Sequence, residues 1–369
     1  MSWALTLPTA IKIMLSRRAF LQSSTALGVT LLPGCAISTN KEQPTTVAGC
    51  ATDGQGNYFA ASVTPQGKLK YSHPLPARGH GLASNPIHQH LAIVARRQGQ
   101  FADIISLDKG QLVQRITPRQ NRFFYGHATY SSNGEILYVS EGESKTCNGV
   151  IGIYDVVKGY QRIGEISDFG IGPHQIELLS NGDLVVAVGG IQTQGRQKIN
   201  LDTMNSTLVT LNKETGQITS QAHLDDPLLS IRHIAVTPQD QIFVGVQSQV
   251  PDESLSSLVY KKTDSEYLEA LPCHADDWLG FEGYIGSLAV TDTTLVVSSP
   301  RGNRIGLFDV QTGKLQQTRF VADGCALAST KHNYYIVDNK GTFYTGDEQA
   351  HSVSGNLPSI YWDNHWIVV

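Results

Sequence analysis

The sequence predicts an all-β chain folded as a seven-bladed β-propeller, its last blade closed by strands from both the N- and C-terminal segments. Three observations predict this. Short strand–turn–strand segments recur at a period of roughly 40–50 residues, the mark of a solenoid or propeller. The turns carry Asn-Gly, or Asp or Asn followed by Gly, as hairpins require. No long segment with a period of 3.6 follows the N-terminal region, which disfavours a parallel α/β sheet. The 35 glycines suit a chain of many tight turns. With 16% charged residues and a net charge of −4, the chain offers no surface for nucleic acid or an acidic membrane.

The N-terminal region, residues 1–36, reads as an export signal. Ser16-Arg17-Arg18-Ala19-Phe20-Leu21 matches the twin-arginine pattern, and an apolar stretch follows from Ala26 to Leu32. That stretch is too short and too rich in Ser, Thr and Gly to span a membrane. Leu32-Pro33-Gly34-Cys35 resembles a lipobox, with ordinary cleavage after Ala36 as the competing reading. Lipidation at Cys35 would be the sole membrane anchor. Residues 37–49 read as a polar tether, and residues 50–369 as a single propeller domain. The expected location is the periplasm. The twin-arginine route carries folded proteins, often with a cofactor already loaded.

Each repeat contains two hairpins. The first runs through His127–Ser140, His174–Val188, His233–Val246 and Ser287–Ser299 in successive units; Asn133-Gly134 and Asn181-Gly182 are its clearest turns. The second runs through Ile104–Ile116, Ile151–Ile166, Leu208–Leu224 and Ile305–Phe320. Four strands per unit make a propeller blade. Blades begin near His80, His127, His174, His233, Ser287 and Cys325. A seventh takes two strands from the C-terminal segment (Ile360–Trp362, His365–Val369) and two from the N-terminal one (Tyr58–Val63, Lys68–His73). Six blades is the alternative if Cys325–Gly346 is not a full unit.

Four histidines share one phase of this repeat: His80, His127, His174 and His233. The first strand of a blade lines the central channel, so these imidazoles should converge. Ser287, Cys325 and Ser359 would complete the ring. Neutral imidazole is the commonest ligand for Zn, Cu, Fe and Ni. An all-nitrogen set with an open position points to a transition metal, iron or copper foremost. Above the ring, the second-to-third-strand loops place Arg97, Glu141, Glu143, Arg196 and Arg301 as candidate cofactor- or substrate-binding residues. Glu141 or Glu143 would fix imidazole tautomers. The loop Gly189–Ser206 is the longest and would lean over the channel mouth. Arg122, Arg232 and Arg301 would either grip an anion or pair with blade carboxylates.

Two blander readings stand beside the metal ring. The histidines would form a polar substrate-binding ring without metal, or the Gly79-His80 and Gly126-His127 pairs would be structural, as in WD repeats. The remaining histidines (His73, His88, His90, His223, His274, His332, His351, His365) read as surface or turn residues. Cys273-His274 with Asp276-Asp277 reads as an incidental loop cluster. Cys50, Cys147, Cys273 and Cys325 lack CxxC spacing, which argues against a zinc ribbon or haem attachment and leaves one disulfide or none. No serine elbow, phosphate loop or dinucleotide fingerprint is present.

The segments FFYGHATYSSNGEILYVSEGE, GIGPHQIELLSNGDLVVAVGGIQTQGR and KINLDTMNSTL, together with the export signal, resemble a bacterial exported family, domain of unknown function 1513. The repeat also resembles the wider YVTN/quinoprotein-like propeller superfamily, whose lactonases contribute no recognisable catalytic set here. The resemblance implies a periplasmic role connected with iron uptake, because members are often encoded beside imelysin-type lipoproteins and di-haem oxidoreductase-like proteins. An imelysin-like or haem-protein partner is thereby implied; a reaction is not. Two other classes stay open: a protein-binding platform for an imelysin-like partner, and a lactonase-like or metal-dependent enzyme.

Overall fold

A computed structural model describes residues 45–195, 197–250 and 257–369. The stretch expected to be an export signal, Cys35, the expected tether up to residue 44 and Arg196 lie outside the described residues. Those described fall in one compact unit built almost wholly of antiparallel sheet.

Five sheets have four strands each, arranged as consecutive antiparallel neighbours. They begin with Gly79–Asn85, Arg122–Tyr130, Pro173–Leu178, Leu229–Val236 and Ser287–Val290. These inner strands are mostly buried, whereas the outermost ones, such as Leu112–Ile116 and Leu315–Phe320, are largely exposed. A sheet that is dry at one edge and wet at the other belongs radially around an axis. Each inner strand packs against the next, and the inner strand Ile360–Val368 packs against Gly79–Asn85 to close the circuit.

The closing sheet has eight strands. In spatial order they are His351–Asn356, Thr342–Gly346, Tyr334–Val337, Leu327–Ser329, Ile360–Val368, Val47–Asp53, Tyr58–Val63 and Leu69–Pro74. Its middle is joined by one parallel pair, Leu327 with His365. The C-terminal segment therefore supplies one strand and the N-terminal segment three, not two and two. Two local causes explain the correction. Asp363-Asn364 resembles a turn but forms a bulge within one continuous strand, where Asp363 is buried. Val47–Asp53 begins inside the stretch expected to be tether, and its small residues let Trp366 lie against Gly49, where an added Cβ would come 2.6 Å from the indole nitrogen.

The core lies between sheets. Val94, Ile104, Phe124, Leu137, Val139 and Tyr154 fill the space between the first two. Val246, Leu258, Trp278, Phe281, Ile285 and Phe308 fill that between the fourth and fifth. The residues between them along the first two sheets, such as Ile93, Ile105 and Tyr138, are buried as well, on the opposite face against the neighbouring sheet. Each such side chain contributes about 1.5–3 kcal/mol by leaving water. Helix among the described residues is confined to a 3-10 turn at Leu201–Thr203 and the single turn Ala275–Leu279. That turn takes in Asp276 and Asp277 of the Cys273-His274 cluster, expected as loop. Cys50, Cys147, Cys273 and Cys325 are all free thiols.

Candidate functional site

The innermost strands do not run straight past the axis. In Gly79–Asn85, Gly79 pairs with Ala95 and Leu82 with Ile93, so an extra residue bulges at His80. The register also slips between Phe124 and Ala128 around His127, between Pro173 and Ile176 around His174, and between Ile231 and His233. In the closing strand it slips opposite Gly49–Ala51, across Trp362–Trp366, which contains His365. The inner strands Ser287–Val290 and Leu327–Ser329 pair without a slip and carry no histidine. A bulge re-aims a side chain that would otherwise follow the pleat. Here every bulged inner strand delivers an imidazole.

The result is a cluster of five rings rather than four. Ring centroids lie 4.9 Å apart for His80–His127, 4.6 Å for His127–His174 and 5.1 Å for His174–His233. His365 completes the group at 4.6 Å from His80, 4.7 Å from His127 and 5.0 Å from His233. It was expected at the surface, with Ser359 at this position of the ring. Reading Asp363-Asn364 as a turn displaced the phase by six residues. Cys325 is likewise outside the ring, its thiol directed to the Trp362 carbonyl within the core.

Glycine makes the approach possible. A Cβ on Gly81 would stand 2.8 Å from His127 Nδ1, and one on Gly126, at φ +108°, would stand 2.8 Å from His80 Cδ2. Gly81 and Gly126 therefore admit the neighbouring imidazole. Ser140 braces the His127 bulge by accepting from its N–H at 3.2 Å and donating to its carbonyl at 3.0 Å.

Four of the rings are buried and His174 is half-buried. Burial first, and then the neighbouring imidazoles, hold His127, His174 and His233 well below the usual histidine range. Burial and His80 push His365 down to about 3 against the opposing pull of Asp363. His127, His174, His233 and His365 are thus neutral at physiological pH, with lone pairs available. His80 Nδ1 lies 2.7 Å from Asp363 Oδ1, and Arg78 Nε donates to the other oxygen at 2.6 Å. Burial would raise the Asp363 carboxyl, but His80 and Arg78 outweigh it and keep it ionised. An ionised acceptor fixes the proton of His80 on Nδ1 and turns its Nε2 lone pair inward. Carboxylate–imidazole pairs of this kind orient metal ligands.

One nitrogen each from His80, His127 and His365 lie within 4.8 Å of one another. Ligands of a tetrahedral ion at about 2.1 Å would be about 3.4 Å apart, so the rings would close by roughly an ångström on binding. Several ring nitrogens have no hydrogen-bond partner among the described residues: His127 Nε2, His174 Nδ1, both nitrogens of His233 and His365 Nε2. Leaving a buried polar atom unpaired costs about 1–3 kcal/mol. A neutral, all-nitrogen, unsatisfied donor set fits a borderline transition metal and not Mg or Ca.

The cluster stands between two cavities. One of about 270 Å³ is bordered by His127, His365, Gln175 and Glu177. Burial pushes the Glu177 carboxyl up to about 7, with the Gln175 hydrogen bond opposing. The other, of about 970 Å³, has His80, His174 and His233 on its wall together with Arg97 and Arg301, as expected, and Arg96 and Arg232. The long loop does lean over it. Its Thr193–Gln194 and Gln197–Lys198 strands form a two-stranded ribbon, Thr193 accepts from Arg97 Nη1 at 2.9 Å, and Lys198 borders the cavity.

Glu141 and Glu143 do not reach either cavity. Glu141 faces the interior of its sheet and is held by Tyr154 and Arg162, while Glu143 pairs with Arg122 at the sheet edge. Neither touches a ring histidine, so neither fixes a tautomer; Asp363 does. Arg122 takes the carboxylate option, pairing with Glu143 and Glu165, whereas Arg232 and Arg301 do not. His73 is also buried rather than superficial, bonded to Asp103 at 3.0 Å, and His351 stacks on Tyr344. Sequence reasoning missed Asp363, Arg78 and His365. The signal was present, since Arg78-Gly79-His80 and Asp363-Asn364-His365 share a charge two residues before the histidine.

The family model "Protein of unknown function (DUF1513)" matches residues 73–369. No curated protein matches. Among solved structures, BamB from Moraxella catarrhalis, a β-propeller, superposes with a TM-score of 0.51 at 11% identity over 85% of this chain and 91% of its own. A protein of unknown function from Bacteroides caccae aligns at TM-score 0.47 and 10% identity, covering 89% of this chain and 99% of that one. Kuenenia stuttgartiensis hydrazine synthase aligns at 0.46 and 14%, covering 86% and 80%. The BamB likeness bears on fold alone and agrees with a propeller.

Proposed function

This chain belongs to the DUF1513 family, a family of unknown function, and we propose that it is a periplasmic seven-bladed propeller whose axial histidine cluster holds a transition metal, iron or copper. The count of seven divides the eight-stranded sheet at its single parallel pair into two four-stranded blades beside the other five. The observation that carries the metal reading is the cluster itself. Five imidazoles are turned to one place by five separate bulges, and ring nitrogens there lack protein partners.

His80, His127 and His365 would be the closest ligands, with His174 and His233 next to them and Asp363 orienting His80. The bound ion would supply a Lewis-acidic or redox centre at the wall of the larger cavity. The twin-arginine pattern, which suits export with a metal already loaded, supports the periplasmic location. A place in an iron-uptake system, beside an imelysin-like or haem-protein partner, rests on the family resemblance.

The test is elemental analysis of protein matured through the twin-arginine route. The expected result is near-stoichiometric iron or copper in the wild type and its loss in His127→Ala/His365→Ala. Metal-free wild type that also fails to take up Fe(II) or Cu(II) after reconstitution would overturn the reading.

A further inference from the structure

The larger cavity is cationic, and its charge is uncompensated among the described residues. Arg78, Arg96, Arg97, Lys198, Arg232 and Arg301 border it, and no Asp or Glu does among the described residues. Arg78 is neutralised by Asp363. The other five make no ion pair with a described carboxylate. Arg97 donates to Thr193, Lys198 to Gln249, and Arg301 lies 4.4 Å from the centre of the Tyr284 ring. Arg232 extends from the residue before His233, and its Nε is buried with no partner. Gly189 leaves room for its guanidinium: an added Cβ would stand 3.2 Å from Arg232 Cζ.

Like charges brought together this way repel. Burial followed by Arg232, Arg301 and Arg97 lowers the Lys198 ammonium. A fold that needed these side chains only for packing would place carboxylates among them, as it does for Arg78, Arg115, Arg122 and Arg162. No described carboxylate supplies the opposing charge, and a bound anion would. A volume of about 970 Å³ is the size of a small-molecule site. It is too small for a folded partner.

We propose that this chamber is a binding site for a compact polyvalent oxyanion, an organic oligocarboxylate or a polyphosphate, gripped by Arg97, Lys198, Arg232 and Arg301. Guanidinium forks match both carboxylate and phosphate in pairs of hydrogen bonds. Field lines from several cations in a walled cavity favour two or more charges on one molecule over separate monovalent ions. The site stands whether or not the histidines hold a metal, because none of the four gripping residues is an imidazole.

Isothermal titration of EDTA-dialysed full-length protein with citrate, pyrophosphate and acetate tests it. Citrate or pyrophosphate should bind one per chain, at least tenfold tighter than acetate, and weaken as NaCl rises. The stronger of the two names the anion's chemistry. Arg301→Gln and Lys198→Gln, both at the cavity border, should each weaken binding about tenfold without loss of fold by circular dichroism. Arg232→Gln should do so more strongly, but its burial makes it the secondary variant. Binding no tighter than acetate, or equal binding in Arg301→Gln/Lys198→Gln, would overturn the proposal. Metal content measured on the same variants separates the two readings: loss of anion binding with metal retained supports independent sites.

Discussion

Asp363→Asn is the most discriminating single change. The carboxylate accepts from His80 Nδ1 at 2.7 Å, Arg78 Nε at 2.6 Å and its neighbour's backbone N–H at 2.9 Å. Its side chain is 4% exposed, while that of Arg78 is 46% exposed. Asparagine has the same shape but only one acceptor oxygen. If that oxygen keeps His80, the amide NH2 faces the Arg78 donor. Breaking a fully buried ion pair costs about 3–5 kcal/mol. Arg78 can turn to water, so we expect about 2–3 kcal/mol, within the range of one or two charged hydrogen bonds. Urea unfolding of metal-free protein at pH 7.5 reads this term. The second effect is on the metal. Without an ionised acceptor the His80 tautomer is no longer fixed, and outer partners of this kind are worth about 10–100-fold in affinity. Competition with a chromophoric chelator reads that. Affinity within threefold of wild type, alongside the stability loss, would show Asp363 to be a structural ion-pair partner and refute its orienting role.

Other predictions follow from the same geometry. Glu177→Gln should stabilise the protein at pH 8 and leave it unchanged at pH 4. The carboxyl sits at about 7 when folded and in the ordinary range when unfolded, so the folded state binds the extra proton and stability falls as pH rises between them, by at most about 3 kcal/mol. Chemical denaturation across pH checks it, and a flat difference between the two proteins would refute it. For His127, His174, His233 and His365 the sign is reversed. Their folded forms resist protonation, so metal-free protein should lose stability as pH falls below about 6.5, by up to about 1.4 kcal/mol per histidine per pH unit. An unfolding midpoint independent of pH between 7 and 5.5 in Glu177→Gln would contradict this. Gly81→Ala should force the Gly126 carbonyl and with it His127 aside and lower affinity for the proposed metal at least tenfold, as measured by the same chelator competition, while far-ultraviolet circular dichroism stays the same.

Much of the architecture was legible because the blade is a local unit. The alternation in HQIELLSNGDLVVAV and the turn at Asn181-Gly182 specify a hairpin without help from distant residues, and the sheet forms there. Equivalent phase then located four of the five imidazoles. The closure was harder, because its strands pair across the length of the chain. Val47–Asp53 is made of small residues whose strand character comes from Trp366 and the neighbouring strands, and not from its own pattern. Asp363-Asn364 has turn chemistry, and only contact with Arg78 and His80 makes it a bulge. The carboxylates failed for another reason. Glu141 and Glu143 lie on one strand with opposite surroundings, Glu141 packed against Arg162 and Glu143 half-exposed beside Arg122, and loop membership alone cannot say where a side chain points.

Because His365 and Asp363 reach the axis on the strand that also joins the two ends of the ring, the histidine cluster and the toroid are completed in the same act. His80 and Asp363 are 283 positions apart and bonded side by side. A chain whose seam has come undone keeps most of its blades yet loses the fifth imidazole and the anchor of the first. Retention of the proposed metal would therefore report directly on whether the circle is shut. Heating or mild denaturant should release the ion before most of the sheet content is lost.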